Sequence, residues 1–258
     1  MPEVTVGAAR IPYRVLGSGR PLVLVHGGSA GSKGWDAAAE VLAETRTVVL
    51  PDLSGSDAAR DDGGELTVEL LAGQVAAVIS DLGLGAADVA GHSMGGSVVA
   101  ALAARRPELV RSLVLVTAWT GRGDEYLRHA LGLWRQLACD ADAFARYSML
   151  IAFSREHLES AGAAVVAELA SGYRPVPGRL RQIDLALRLD VRDLLPRIDV
   201  PALVIGCSRD LLVSARYSRE LAADIPGAAY AEIAGGHQVM IEQPAEFAKL
   251  VRDFGDRV

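Results

Sequence analysis

The stretch Gly91-His-Ser-Met-Gly-Gly96 sets one hydroxyl among small residues, between the apolar run Gly85-Ala-Ala-Asp-Val-Ala90 and the helix-patterned Ser97-Val-Val-Ala-Ala-Leu-Ala-Ala104. A G-x-S-x-G spacing is what a nucleophilic serine on a sharp strand-to-helix turn needs, because larger side chains on either side would collide. Glycines also mark ordinary turns and serines cap ordinary helices, so the pentapeptide alone does not decide. A serine nucleophile further requires a base within hydrogen-bond reach, and that base requires an acceptor that fixes its tautomer.

The chain has 5 histidines from which to draw the base. His129 and His157 fall inside helical patterns, where exposed or amphipathic positions are expected. His26 follows the apolar run Leu22 to Val25 and opens His26-Gly-Gly28, which suits packing or loop orientation. His92 adjoins Ser93 on the turn, and its side chain must point away from the serine. His237 differs: it lies in Ala234-Gly-Gly-His-Gln238, after the last strand-like run and before Pro244 begins a helix. Asp210, in Ile205-Gly-Cys-Ser-Arg-Asp210, follows another buried-strand pattern. Three polar residues from three strand ends, in the chain order Ser, Asp, His, make Ser93, Asp210 and His237 the expected triad.

The oxyanion that forms when a serine attacks a carbonyl needs two backbone N–H groups aimed at it. Met94, the residue after the nucleophile, stands at a helix start whose dipole helps. The second donor is expected from the His26-Gly-Gly28 loop, with Gly28 as first choice and Ser29 as second, since glycine lets backbone approach a ligand. Asp52 reads as a buried or turn-stabilising carboxylate.

These residues need a frame that gathers strand ends. Strand-like runs occur at 5–6, 11–16, 21–25, 47–50, 87–90, 112–116, 202–206 and 229–233, and most later ones are continuous and β-branched, as in parallel strands covered on both faces. Helix-period segments at 35–43, 67–82, 94–105, 215–224 and 244–254 alternate with them. That alternation predicts an α/β fold with a mostly parallel, doubly wound sheet and an antiparallel edge from the first strands. From Trp119 to Pro196 the alternation stops and only helical patterns remain. A block of that length between two strands suits a helical cap over the carboxyl edge, where such sheets bind ligands. The expected organisation is one sheet-based core, 1–118 and 197–258, with a cap insertion at 119–196.

Composition narrows the partners. With 258 residues, 50% hydrophobic and 22% charged, the chain describes an ordinary globular domain, and its net charge of −6 argues against a nucleic-acid surface. The amino terminus lacks a signal pattern and no run reaches the length of a membrane span, so no membrane partner and a cytoplasmic location are expected. The 2 cysteines, Cys139 and Cys207, have no metal-type spacing and read as buried apolar fillers. Gly17-Ser-Gly19 lacks the rest of a dinucleotide fingerprint, and no phosphate loop or metal-ligand spacing stands out, so neither cofactor nor metal is expected.

The sequence resembles the alpha/beta-hydrolase superfamily, in the branch with a helical cap, on the strength of His26-Gly-Gly28, Pro51-Asp-Leu-Ser-Gly55, Gly91-His-Ser-Met-Gly-Gly96, the Gly206 to Asp210 turn and Gly236-His237. The cap segment is similar to enol-lactonases and related small esterases. The loop from His26 to Trp35 instead resembles that of carbon–carbon bond hydrolases, which carry Asn before the nucleophile and Trp after the histidine; here those positions hold His92 and Gln238. The resemblance implies hydrolysis of a small-molecule ester or lactone through an acyl-enzyme, with Ser29, Trp119, Trp134 and Phe153 contacting substrate. Three other outcomes stay open on the same fold: carbon–carbon cleavage, non-hydrolytic acyl transfer, cyclisation or lyase chemistry, and a receptor-like module that binds without turnover.

Overall fold

The computed structural model describes residues 1–28, 31–83, 85–121 and 125–258. The strands are β1 (Glu3–Val6), β2 (Ala9–Leu16), β3 (Arg20–Val25), β4 (Arg46–Pro51), β5 (Ala87–His92), β6 (Val110–Val116), β7 (Ala202–Cys207) and β8 (Ala229–Ile233). They join into one 8-stranded sheet in the order β1-β2-β4-β3-β5-β6-β7-β8. β1 pairs antiparallel with β2, and β2 antiparallel with β4; every pair from β4 to β8 is parallel. The chain is therefore an alpha/beta hydrolase fold with the antiparallel edge that its first strands predict.

Alternate residues of each central strand feed opposite layers, which explains why these strands are apolar throughout. Val23 and Val25 of β3 enter the core with α2 (Val68–Leu82) and α3 (Met94–Arg105). Leu22 and Leu24 enter the opposite core, with α1 (Asp36–Leu42) and the carboxyl-terminal helix Pro244–Gly255. After β3 the chain steps outward to β4, and after β4 it returns to the other side of β3 to lay down β5. The loops leaving β3 and β5 thus diverge at the carboxyl edge and open a crevice between them, the place where sheets of this kind bind ligands.

Between β6 and β7 lie α4 (Glu125–Gln136), α5 (Ala141–Ala152), α6 (Arg155–Ser171) and α7 (Pro177–Ala186). α4 buries Leu127, Ala130, Leu131 and Trp134, an i, i+3, i+4, i+7 stripe. Asp140 caps α5 by accepting from the amides of Asp142 and Ala143 at 3.1 and 3.0 Å, and Ser154 caps α6 by accepting from His157 at 3.2 Å. α7 starts at Pro177, where proline's fixed φ and missing N–H suit the first helical turn. It is tied to the loop after β4: Arg181 donates to both oxygens of Asp61 at 2.7 and 3.0 Å, and Arg188 donates to the Leu66 carbonyl at 2.7 Å. α8 (Ala215–Asp224), α9 (Val239–Glu242) and α10 (Pro244–Gly255) complete the chain. Among the described residues no helix is long and apolar enough to cross a membrane.

At the amino edge, remote from the crevice, Asp88 of β5 is a buried hub. It accepts from Ser112 Oγ at 2.7 Å and from Arg111 at 2.6 Å, and pairs with Arg46 at 3.5 Å. Asp88 and Arg46 side chains are each only 6% exposed, and the other carboxylate on Arg46, Asp256 at 2.5 Å, is 65% exposed, so removing Asp88 leaves a buried cation with only a solvent-facing partner. Asp88→Ala should lose about 3–5 kcal/mol of unfolding free energy in urea titration, with the rate of the folded fraction unchanged. A loss below about 1 kcal/mol would assign the hub no structural weight.

Candidate active site

Ser93 sits at φ 56, ψ −125, a left-handed conformation that non-glycine residues rarely hold. The turn is kept there from both ends: the Ser93 amide donates to the Val116 carbonyl at 2.9 Å, and the Gly96 amide donates back to the Ser93 carbonyl at 2.9 Å. The flanking glycines are sterically required. A Cβ on Gly91 would stand 2.4 Å from the Gly95 carbonyl oxygen, and one on Gly95 would stand 2.4 Å from the His26 carbonyl oxygen. β5 and α3 can therefore pack against each other and against β3 only without side chains at these positions.

The three strand ends meet at this turn. His237 Nε2 lies 2.9 Å from Ser93 Oγ, and His237 Nδ1 lies 2.7 Å from Asp210 Oδ2. The other oxygen of Asp210 accepts from the amides of Leu212 and Val213, both at 2.8 Å, which fixes the carboxylate plane. The Asp210 side chain is 0% exposed and that of His237 5%. With Nδ1–H given to the carboxylate, Nε2 is left as the acceptor for the serine proton, the tautomer a general base needs.

Two further histidines brace the site without being able to act as its base. His92 turns away from Ser93, as its place on the turn demands, and donates Nε2–H to the His237 carbonyl at 2.9 Å. Thr117 Oγ1 reaches the same carbonyl at 3.4 Å. His26 donates Nδ1–H to the Gly27 carbonyl at 2.8 Å and accepts from the Leu53 amide at Nε2 at 3.0 Å, locking the β3 and β4 loops together. Burial lowers the proton affinity of both imidazoles, most strongly for His92, which also faces His237. Asp52 accepts from the Ser32 amide and hydroxyl, each at 2.8 Å, and is a turn-holding carboxylate.

A cavity opens directly over Ser93 and His237. Its volume, counted as space open to the centre of a water-sized sphere, is about 30 Å³. Gly28 and Met94 border it, as do Trp119 and Trp134, so these expected residues gather at one place. The glycine that crowding demands is Gly27, where a Cβ would stand 2.9 Å from Ser93 Cβ, whereas at Gly28 the nearest atom would be 4.0 Å away. Ser29 lies outside the described residues. Phe153 does not take the expected place at the cavity wall: it ends α5 in a side cluster with Met149 and Ala152 and stacks on His157 at 5.1 Å. Phe153 follows the last residue of α5 on a β-region backbone, off the stripe that α5 presents to the cavity, so the likeness of the cap segment does not carry over at this position. Cys139 is also corrected, being exposed, while Cys207 is buried.

The cavity also takes in Leu131, Tyr173, Gln182 and Ile183, which the sequence reading passed over. For Gln182 a signal existed: it shares the buried face of α7 with Arg179, Ile183 and Ala186, and a polar residue in such a stripe marks a site or a buried contact. Tyr173 follows α6 in an irregular stretch with no periodicity to reveal it. Burial pushes its phenol up to about 12, so it enters the cavity protonated. Trp134 is held edge-in by donating to Ser148 Oγ at 2.8 Å and stacking on Phe144 at 5.6 Å.

The fold and this gathering of strand ends define a class. Residues 20–244 match the family described as alpha/beta hydrolase fold, and the chain belongs to that family. It is 37% identical over 259 residues to a protein of Xenorhabdus hominickii named pyrrolizixenacetamide deacetylase, across 98% of this chain and 97% of the relative. Among solved structures it is similar to the enol-lactonase from Burkholderia xenovorans LB400, with TM-score 0.87 and 26% identity over 98% of this chain and 99% of that one. A thermophilic esterase from Thermogutta terrifontis shares the fold at TM-score 0.85 and 24% identity, over 99% of this chain and 97% of that one. Relatives across the whole length thus carry hydrolase names.

The buried imidazoles make stability depend on pH. His26 and His92 stay neutral in the fold, whereas an unfolded chain protonates histidine at the ordinary value of 6.5. Their contribution is therefore complete above that value and lost as pH falls below it, by up to about 1.4 kcal/mol per pH unit for each group until its folded-state value is passed. Urea titrations at about pH 7.5 and about pH 5.5 should show the loss, and His92→Gln, which keeps a donor for the His237 carbonyl, should flatten it. An unchanged slope in that variant assigns the acid sensitivity to other groups.

Proposed function

We propose that the chain is a serine hydrolase that cleaves small carboxylic esters, lactones or amides carrying a short acyl group. The observation that carries this reading is the continuous path from Ser93 Oγ to His237 Nε2 at 2.9 Å and from His237 Nδ1 to Asp210 Oδ2 at 2.7 Å. In the reaction His237 takes the serine proton as Oγ attacks the carbonyl carbon, and Asp210 stabilises the imidazolium that results. The Gly28 and Met94 amides receive the oxyanion. Collapse of the tetrahedral species expels the alcohol or amine, which leaves with the proton from His237. Water, deprotonated by His237, then attacks the acyl-enzyme and frees the acid and Ser93.

A short acyl group is supported by the cavity lining, in which Trp119, Leu131 and Trp134 crowd the space over Ser93 and hinder a long chain. The name of the Xenorhabdus relative, a deacetylase of an acetamide, supports a short acyl group and adds the amide to the ester and lactone that the motifs suggest. In this reading residues 119–196 act as a cap that shapes the acyl pocket.

Two measurements test the reading. A fluorophosphonate should modify Ser93 alone, and Asp210→Asn should cut turnover on the order of 10⁴-fold by letting the imidazole adopt the wrong tautomer; an adduct elsewhere overturns the nucleophile. Against a series of aryl esters from acetate to octanoate, kcat/KM should fall with chain length, and Leu131→Ala should shift the optimum toward longer chains by lengthening the pocket. A flat profile refutes the acyl assignment, and tight binding without turnover moves the protein to the receptor-like reading.

A further inference from the structure

The loop that carries His237 rests on the junction between α5 and α6 rather than on the sheet alone. The Gln238 amide donates to the Ala152 carbonyl at 2.8 Å. One residue before the histidine, a Cβ on Gly236 would stand 2.4 Å from the Ser154 amide nitrogen and 2.5 Å from Glu242 Oε1, so the loop and the junction are in direct backbone contact. The carboxylate of Glu242 sits between them. Its Oε1 accepts from the Ser154 amide at 2.7 Å, and its Oε2 accepts from Ser154 Oγ at 2.8 Å and from the Gly236 amide at 2.9 Å. Ser154 is the same residue whose hydroxyl caps α6.

From this we infer that Glu242 is a positioning residue for the general base, holding the His237 loop and the α5–α6 junction in one register, so that the helical insertion serves the chemistry as well as the pocket. The inference rests on the triad reading above. A carboxylate suits the task because three donors from two segments converge on two oxygens. An amide there has only one oxygen, and its NH₂ would face a donor. The interaction holds no part of the sheet and touches neither Ser93 nor Asp210, so what it constrains is the angle at which the imidazole spans them. An error on the order of 1 Å in that span costs up to about 100-fold in rate.

The test compares wild type, Glu242→Gln and Ser154→Ala, with Asp210→Asn as a control. Proton spectra should show a low-field resonance from the His237 Nδ1 proton shared with Asp210, absent in Asp210→Asn. In Glu242→Gln it should weaken or shift, while kcat for a short aryl acetate falls about 10- to 100-fold with KM unchanged, and fluorophosphonate labelling slows to match. Ser154→Ala, which removes one of the three donors, should show a smaller change of the same kind, and it decides alone if Glu242→Gln fails to fold. A normal resonance, kcat and labelling rate in the folded variants overturn the inference and leave the triad standing. A wild type with neither resonance nor labelling overturns the triad reading and this inference with it.

Discussion

Ser93 can hold φ 56 only because the residues around it lack bulk, and that backbone angle governs the rest of the site. A left-handed serine costs on the order of 1–3 kcal/mol, and it persists only where its surroundings overdetermine it. Here they do: β6 takes the Ser93 amide, α3 returns an amide to its carbonyl, and Gly91, Gly95 and Gly96 let strand and helix touch. The consequence is geometric. The same turn that lifts Oγ off the sheet begins α3 at Met94, so the hydroxyl proposed as nucleophile and the amide proposed as oxyanion donor arise from one backbone feature. It also drives His92 to the opposite side, where its Nε2–H reaches the carbonyl of His237.

The support around that turn is built from neutral histidines, which combine a donor with the ability to remain uncharged in a buried place. His26 gives one nitrogen to the β3 loop and takes the Leu53 amide with the other, joining two loops that leave neighbouring strands. His92 ties the β5 turn to the loop after β8. A protonated ring at His92, whose centroid is 4.8 Å from that of His237, would put a cation beside His237 and oppose its protonation, and a protonated His26 would in turn oppose that of His92. Burial, by holding both rings neutral, removes that opposition.

How far the sequence revealed this depends on whether a feature was local. Continuous apolar runs and period-3.6 patterns exposed all eight strands and the alternation with helices, because a sheet buried on both faces demands apolar runs and its helices demand stripes. The residues Ser93, Asp210 and His237 were legible because each follows a strand, and parallel strands deliver their ends to one edge. Gly27 was hidden behind Gly28, since spacing shows that a loop needs glycine but not which glycine meets a neighbour. Phe153 was expected at the cavity from the likeness of the cap segment, which does not tell where α5 ends, and the residue just past its last turn points elsewhere. Tyr173 lay beyond reach: it comes to the cavity from an irregular stretch after α6, by tertiary packing that no local signal encodes.

The insertion between β6 and β7 does not behave as one body. α7 buries Ile183 and Leu185 and is fastened by Arg181 and Arg188 to the loop after β4, so it moves with the sheet. α6 buries none of its residues and is interrupted at Gly162, where φ is 77. Between them stands Tyr173, which packs in the cluster of Met149, Ala152 and Phe153 at the end of α5 and borders the cavity. Elements with few buried contacts open at low free energy, and those with many open only with the whole fold. The α5–α6 junction cannot share that freedom, because Ala152 and Ser154 are bonded to the loop of His237 and to Glu242. The fold thus sets a compliant segment immediately beside a stiff one, and the boundary between them falls at the cap of α6, the Ser154 hydroxyl that the helix and Glu242 share.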